Sequence, residues 1–203
     1  MNKKEQTLKT FNRQAKVYDH SMFSKHAKKL YPKILDTVIK TDSLEILDLG
    51  CGTGELMKLL LENNDRYQLT GIDLSSKMIE IANEKLANRV KLVIGDSENL
   101  PFDDNSFDLV YCNDSFHHYV EVEQVIKEIS RVLKKDGYLI IGDLYQTALI
   151  RKIFNFLLRF NNEGDVHVYS KKEMISLLRP HFKQIEFERI GHDGFMVKGV
   201  VIK

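Results

Sequence analysis

Short apolar runs alternate with segments of helical periodicity from residue 44 onward. Five runs predict β-strands: LEILDLG (44–50), YQLTGID (67–73), VKLVIGD (90–96), FDLVYCND (107–114) and GYLIIGD (137–143). Several are almost continuously apolar, as strands buried on both faces are. Between them, apolar stripes predict helices over 54–64, 75–88 and 121–134, with Ser75 as the N-cap of the second. This alternation predicts a parallel sheet covered by helices on both faces.

The pattern changes after the fifth strand. Apolar spacing predicts helices over 148–160 and 170–180, and the last 22 residues predict two strands around the turn GHDG. The first 40 residues predict helix, whereas Pro101 and its paired aspartates predict a loop over 97–108. Together these elements predict an α/β fold: one doubly wound domain whose seven-stranded sheet is mostly parallel, with an antiparallel last strand.

Composition narrows the class of protein. The chain has 203 residues, 43% of them apolar, which suits one globular domain. Thirty basic residues against 29 acidic ones leave no overall field for nucleic acid, so no nucleic-acid partner is expected. Cys51 and Cys112 lack metal-ligand spacing, and no signal-like stretch begins the chain, so a reducing cytoplasm is expected. No apolar run approaches the roughly 18 residues of a membrane span, so stable membrane insertion is not expected.

Charge is uneven along the chain. Residues 1–40 hold ten Lys or Arg against Glu5, Asp19 and Asp36, which is 10 − 3 = +7. A solvated helical surface is the favoured interpretation. Attraction of an acidic acceptor or of an anionic membrane surface stays open.

A glycine-rich turn follows the first predicted strand in LDLGCGTGEL (47–56), with Gly50, Gly52 and Gly54 at alternate positions. Glycines at a strand-to-helix turn permit positive φ and let a ligand touch the backbone. The spacing is not the G-x-G-x-x-G of a dinucleotide site, and Glu55 would repel a diphosphate. No Lys followed by Ser or Thr closes the loop, which excludes a P-loop. A turn needed only for packing is the alternative.

Three aspartates end the first three predicted strands: Asp48, Asp73 and Asp96. In a parallel sheet they project to one edge, where ligands bind. Asp73 lies about 20 residues beyond the loop, where a ribose diol would be held. Asp96 can accept from an exocyclic amino group. The apolar side chains placed to cover a purine face are Leu74, Met78 and Ile94. An adenosine without phosphate would need no basic residue, and no basic residue is expected to accompany the loop, so the pattern predicts such an adenosine.

This constellation resembles the class I S-adenosylmethionine-dependent methyltransferases, most closely the ubiquinone and menaquinone biosynthesis group. The matching motifs are ILDLGCGTGEL, Asp73, GDSENLPFDDNSFDLV and RVLKKDGYLIIGD, together with FNRQAKVYDH. The resemblance implies a Rossmann-like fold and S-adenosyl-L-methionine as cofactor. It implies a helical cover over 1–43, a cofactor-binding core over 44–143, and acceptor-side helices with a strand pair over 144–203. The expected cofactor-binding residues are Tyr18, Asp48, Gly50, Cys51, Gly52, Thr53, Gly54, Asp73, Leu74, Met78, Asp96, Ser97 and Asn113.

Methyl transfer is an in-line displacement at an activated carbon, so positioning of the acceptor supplies most of the catalysis. His117 and His118, just past the fourth strand, are the candidate bases for an acceptor that loses a proton. Packing on the cofactor and capping of a helix is an equally weighted alternative for them. Asp114, Asp143 or His167 could join them around a metal, but adjacent histidines seldom share one ion, and no metal is predicted.

The predicted activity is methylation of a small molecule, with its acceptor determined by the segment after the fifth strand. His167 and Tyr169 are expected near the acceptor, although Tyr169 could equally pack before a helix cap. The apolar helix 148–160 could be a lid, an acceptor wall or a homodimer surface. Two alternatives stay open for the whole chain: a nicotinamide-dependent oxidoreductase and a protein that binds S-adenosylmethionine without turnover.

Overall fold

The computed structural model describes residues 2–22, 24–161 and 164–203. Its centre is one seven-stranded sheet in the order β3-β2-β1-β4-β5-β7-β6. All neighbours from β3 to β5 are parallel, and β7 runs antiparallel to both β5 and β6. The predicted sheet and its antiparallel last strand are therefore confirmed. The strands are β1 (Glu45–Leu49), β2 (Gln68–Asp73), β3 (Lys91–Ile94), β4 (Phe107–Asn113), β5 (Leu133–Leu144), β6 (Phe182–Ile190) and β7 (Gly194–Val201).

Seven α-helices within the described ranges accompany the sheet, and the predicted loop between β3 and β4 has no regular element. Two 3-10 helices, Ala15–His20 and Phe116–His118, lie beside the carboxyl edge of the strands. The α-helices are α1 (Lys3–Gln14), α2 (Lys25–Ile39), α3 (Glu55–Asn63), α4 (Ser76–Leu86), α5 (Val122–Val132), α6 (Ala148–Leu157) and α7 (Lys171–Leu178).

Two apolar clusters hold the layers together, one on each face of the sheet. Helices α2, α3 and α4 bury Leu30, Ile34, Met57 and Leu60 against one face. Helices α5 and α7 bury their apolar stripes against the other. Because β-strand side chains alternate between faces, each central strand contributes to both clusters, which explains the continuous apolar runs in the sequence. The doubly wound arrangement is thereby confirmed.

The junction of α5 and β5 differs from the prediction. The helix ends at Val132, two residues early, and the strand begins at Leu133, four residues early. Leu133 pairs in register with Phe107, and the Lys134 ammonium lies 2.8 Å from the Asp108 carboxylate and also contacts Glu45. These long-range contacts hold the segment extended, although its local sequence suits a helix.

Helix α6 differs from the other helices because none of its residues is fully buried. None of the helices in the described ranges has the length and apolarity needed to cross a membrane.

Candidate functional site

The glycine loop joins β1 to α3 at the carboxyl edge of the sheet. Gly50 and Gly52 both have positive φ, at 76° and 52°. A Cβ on Gly50 would lie 2.5 Å from the Ser115 hydroxyl oxygen, whereas a Cβ on Gly52 would meet no atom within 4 Å. Gly50 is thus required for packing against the neighbouring loop, and the backbone at Gly52 faces open space that a ligand can enter.

The amides at the front of this loop already have acceptors. The N–H groups of Gly50 and Cys51 donate to the Ile72 carbonyl at 2.9 and 3.0 Å, and Gly52 N–H donates to Asp73 Oδ2 at 2.9 Å. Gly54 forms the N-cap of α3 and lines neither of the cavities beside the loop. Since these donors are satisfied, the loop is not a phosphate cradle, in agreement with the sequence argument against a diphosphate.

Asp73 connects the loop to the next helix. Its Oδ1 accepts from Ser75 N–H at 2.8 Å while Oδ2 accepts from Gly52. Burial raises the pKa of Asp73, although these two amide bonds favour the ionised form. Ser75 accepts from Met78 N–H and is the N-cap of α4, which confirms that prediction.

A first cavity opens beside this edge. Its wall includes five residues expected to bind cofactor, namely Gly50, Asp73, Leu74, Asp96 and Ser97. Across from them lies the inner face of α1, with Lys4, Thr7, Leu8 and Phe11. The sequence interpretation missed these α1 residues, although their i, i+3, i+4, i+7 spacing is the signal of one helix face.

A second cavity lies on the other side of the glycine loop and shares Gly50 with the first. The remaining predicted residues that line it are Tyr18, Asp48, Cys51, Gly52, Thr53 and Asn113. The two cavities meet at the loop, so the structure brings most of the predicted residues to one continuous region.

Two buried polar groups in the second cavity are notable. Burial raises the pKa of Asp48 to about 8, even though the Tyr111 hydroxyl donates to Asp48 Oδ2 at 2.7 Å. Asn113 Oδ1 is buried and has no hydrogen-bond partner among the described residues. A buried acceptor without a donor is costly unless a ligand supplies one.

Two apolar residues expected over the purine face lie elsewhere. The Met78 side chain is buried on α4 and lines neither cavity. Ile94 is 58% exposed and is also absent from both walls. Among the three apolar candidates, Leu74 alone lines the first cavity.

The site also holds cations that the sequence interpretation did not place. Lys4 Nζ lies 2.7 Å from Asp96 Oδ2 and 2.5 Å from Glu98 Oε2. Burial lowers the pKa of Lys4, but these two carboxylates outweigh it and raise the pKa above the ordinary value. The expectation that no basic residue accompanies the loop is wrong, because the lysines come from distant segments.

The second such cation is Lys85, near the end of α4. Its ammonium lies 2.6 Å from Glu55 Oε2 and 2.7 Å from Asp19 Oδ2. Asp19 also accepts from the Thr53 hydroxyl at 2.5 Å. Lys85 therefore neutralises Glu55, which sequence alone presented as an unpaired negative charge, and joins the 3-10 helix Ala15–His20 to the loop.

The two adjacent histidines have different surroundings. His117 is buried, its Nδ1 lies 2.6 Å from Asp143 Oδ1, and it lines neither cavity. Burial lowers the pKa of His117, but Asp143 outweighs it and raises the pKa to about 9. His118 lines the first cavity, with its ring edge-to-face against Phe11. Burial and the neighbouring His117 hold the pKa of His118 well below its usual range.

The candidate metal ligands are largely engaged by protein groups. Donor atoms of Asp114, His117 and Asp143 lie within 4.8 Å of one another. His117 is bonded to Asp143, however, and Asp114 Oδ1 lies 2.6 Å from His26 Nδ1. Donor atoms of His117, His118 and Asp165 also lie within 4.8 Å of one another. His167 pairs with Glu173 instead, so it does not join them. That no metal is bound stays a prediction.

Tyr169 and Ser115 complete the surroundings. Tyr169 is buried with its ring 5.5 Å from that of Phe116, in agreement with the packing alternative. Ser115, which the sequence interpretation missed, lines the first cavity and donates from its hydroxyl to the Leu49 carbonyl. A serine two residues after a strand gives no sequence signal of that contact.

Comparisons with known proteins agree with this geometry. A family model described as a methyltransferase domain matches residues 47–141. A demethylmenaquinone methyltransferase of Thermotoga maritima is 30% identical over 96% of this chain and 90% of its own length. The ubiquinone/menaquinone biosynthesis C-methyltransferase UbiE of Campylobacter jejuni is 31% identical over 70% of this chain and 64% of its own length. A solved S-adenosylmethionine-dependent methyltransferase of Thermotoga maritima has a TM-score of 0.74 at 21% identity, covering 96% of this chain and 99% of that chain.

The family match and the relatives confirm S-adenosylmethionine as the predicted cofactor. They support methylation of a small molecule over hydride transfer and over binding without turnover. The similarity to the Thermotoga maritima relative extends over nearly the whole chain. The chain therefore belongs to the S-adenosylmethionine-dependent methyltransferases.

Proposed function

We propose that this chain methylates a ring carbon of a small aromatic acceptor of the quinol class, and that the two cavities hold the two ends of its cofactor. The observation that carries the cofactor placement is Gly50, which lines both cavities at the point where they meet. The names of the relatives support the acceptor class, because demethylmenaquinone and ubiquinone/menaquinone methyltransferases are among them.

The polar groups of the second cavity fit the amino-acid end of S-adenosylmethionine. Asn113 Oδ1 is buried and lacks a donor among the residues that the structure describes, and an ammonium group would supply one. Asp48 lies in the same cavity, and a bound ammonium group would favour its ionised form. The open space above Gly52 leaves room for a ligand in contact with the backbone. We assign Tyr18, Cys51 and Thr53 to the walls of this end.

The first cavity fits the nucleoside end. Asp73 keeps lone-pair positions free beyond its two amide bonds, and these can accept from a ribose diol. Leu74 supplies an apolar contact for the purine, with Asp96 and Ser97 beside it. Lys4 forms an ion pair with Asp96, so it can hold that carboxylate in place. The segment over 1–43 would then act as the cover, and 144–203 as the acceptor side.

When bound, S-adenosylmethionine would supply a methyl carbon activated by its sulfonium, so the protein would have to orient the acceptor and accept one proton. Methylation of an aromatic ring carbon would form a C–C bond as the C–S bond to the methyl group breaks, and the ring carbon would then release its proton. We assign that proton to His118, which lines the first cavity and whose lowered pKa keeps it neutral. The ion pair of His117 and Asp143 positions His118 from behind, since the two imidazole rings lie 4.0 Å apart.

The test is a measurement of ligand and turnover on the purified chain. Mass spectrometry of ligand carried through purification should detect S-adenosylmethionine or its demethylated product. A screen of acceptor classes that monitors homocysteine release through a coupled hydrolase should then show turnover with a reduced naphthoquinone. Turnover with phenols, amines or thiols, and none with any quinol, would contradict the proposed acceptor class.

A further inference from the structure

Helix α6 turns Arg151 and Asn155 toward the protein and its apolar side chains toward solvent. Asn155 makes two hydrogen bonds to the Val168 backbone, at 2.9 and 3.0 Å. Arg151, one turn earlier, donates to the Gln146 carbonyl and lies 3.8 Å from Glu173. Amphipathic helices of globular proteins normally turn their apolar stripe to the core, so this helix has the opposite orientation.

The outward face is a large apolar surface. We define the α6 apolar face as the exposed side chains of Leu149, Ile150, Ile153, Phe154, Phe156 and Leu157 on α6, together with Phe160 in the turn after it. Leu149 and Phe160 are each 72% exposed, and the others are between 39% and 56% exposed. A contiguous apolar patch of this kind on a soluble surface marks an interaction site.

The charged side chains around the α6 apolar face indicate the chemistry of the surface that it contacts. Lys152 is exposed on α6 and Arg159 is exposed in the turn just after it, and neither forms an ion pair within the described ranges. The stretch from 144 to 161 contains no Asp or Glu. At its end, Lys3 of α1 donates to the carbonyls of Leu158 and Asn161, which places the strongly basic N-terminal segment directly beside α6.

A second copy of the chain is the alternative occupant. In a two-fold dimer through the α6 apolar face, Lys152 and Arg159 of both copies would come together with no acidic residue of the helix to pair with them. An anionic lipid surface instead satisfies both features, because acyl chains receive the apolar side chains and headgroups receive the cations.

We propose that α6 docks this chain reversibly on an anionic lipid surface, lying in the plane of the interface. The docking helix is connected to the candidate site, because Asn155 bonds to Val168 and the N–H of Val166 donates to the His117 carbonyl. Docking rests on the α6 apolar face and the cations around it, and it does not require the acceptor proposed above. It would bring the site next to a lipid-dissolved molecule.

The experiment is sedimentation of the full chain with large unilamellar vesicles. One set contains equal parts of phosphatidylglycerol and phosphatidylcholine, and the other contains phosphatidylcholine alone. The test variant combines Leu149→Gln, Ile153→Gln and Phe156→Gln. Its control combines Met22→Gln and Ile202→Gln, which are exposed apolar residues outside α6. A second pair of variants tests charge. One variant combines Lys152→Glu and Arg159→Glu. Its control combines Lys127→Glu and Lys135→Glu, at lysines that are exposed on other elements.

We expect the wild-type chain to bind the anionic vesicles, to bind phosphatidylcholine weakly and to dissociate at high salt. The triple glutamine variant and the α6 charge variant should each lose at least about tenfold in partitioning, whereas both controls should behave as wild type. Binding of S-adenosylhomocysteine should be unchanged in all variants, which separates this result from the proposed function. Wild-type protein that stays in the supernatant, or equal binding by the triple variant, would overturn the proposal. So would a dimer, measured by light scattering, that the triple variant converts to monomer without any vesicle binding.

Discussion

His117 Nδ1 and Asp143 Oδ1 lie 2.6 Å apart in a buried pair at the end of β5. Asp143 also accepts from the backbone N–H groups of His117 and Leu144. Burial raises the pKa of Asp143, but the imidazolium and these donors outweigh it and hold the pKa below its ordinary value. The pair is therefore ionised at neutral pH.

Replacement of Asp143 by Asn should remove a contribution of this pair to stability, and the size of that contribution should depend on pH. The pKa of His117 is about 9 in the folded chain and roughly 6.5 when unfolded, so its contribution is complete below about pH 6.5 and lost as pH rises through about 9. At about pH 6, Asp143→Asn should lower the free energy of unfolding by about 3 kcal/mol, and the difference should narrow near pH 10. Urea unfolding at both pH values measures this. Asp36→Asn, in an exposed ion pair, is the control, and a pH-independent difference would contradict the assignment.

The raised pKa of the Asp48 carboxyl should make the folded chain less stable as pH rises. Its pKa is about 8 when folded and about 3.9 when unfolded, so the folded state binds the extra proton between these values. Stability therefore falls as pH rises from about 4 to about 8. Asp48→Asn keeps an acceptor for the Tyr111 hydroxyl and should become more stable than wild type near pH 8, but not near pH 4. Thermal unfolding across this range measures it, with Asp65→Asn as an exposed control. Parallel curves for wild type and Asp48→Asn would exclude the raised pKa.

The two histidines should separate in kinetics. His118 lines the first cavity, so His118→Asn should lower kcat by about 10²–10⁴ while leaving S-adenosylhomocysteine affinity nearly unchanged. His117 is buried behind it and positions its ring, so His117→Asn should lower kcat less and shift the pH profile of turnover. The coupled homocysteine assay measures both. Full activity of His118→Asn would contradict a role as base and would indicate that His118 only packs in the site.

The fold was largely predictable because the signals that determine it are local. Apolar runs buried on both faces identify central strands, and the glycines at 50 and 52 are needed for positive φ. The start of β5 was not predictable, since ion pairs of Lys134 with Asp108 and Glu45 hold it extended from other strands. The local sequence around Leu133 gives no sign of these distant partners.

The site residues that directly follow strands were predictable, whereas those that come from distant segments of the chain were not. Asp73 and Asp96 end strands, and parallel strands bring their ends together. Lys4 reaches Asp96 from 92 positions away, and Lys85 reaches Asp19 from 66 positions away. The helical period of α4 could have indicated that Met78 is buried. Its expected contact with the cofactor stays a prediction.

Asp73 should distinguish ligand binding from loop architecture. Asp73→Asn keeps one oxygen acceptor for the loop amides but removes the charge that would strengthen bonds to a ribose diol, so S-adenosylhomocysteine should bind more than about tenfold more weakly. Asp73→Ala should additionally lower the free energy of unfolding by about 1–3 kcal/mol, because Gly52 and Ser75 N–H lose their acceptor. Titration calorimetry and urea unfolding measure the two effects. Asp65→Asn is the exposed control, and an unchanged dissociation constant in Asp73→Asn would contradict the cofactor placement.

Lys85 should matter more than any exposed lysine on the same helix. It holds Glu55 and Asp19 together, and its side chain is only 17% exposed. In Lys85→Met the two carboxylates would repel, so the 3-10 helix Ala15–His20 should loosen and the second cavity should open. We expect a loss of about 1–3 kcal/mol in unfolding free energy and weaker S-adenosylhomocysteine binding. The matched control is Lys77→Met on α4, whose pair with Glu80 is half exposed on both sides and contributes at most about 1 kcal/mol. Equal stability of the two variants would show that the Lys85 cluster does not hold the N-terminal segment on the loop.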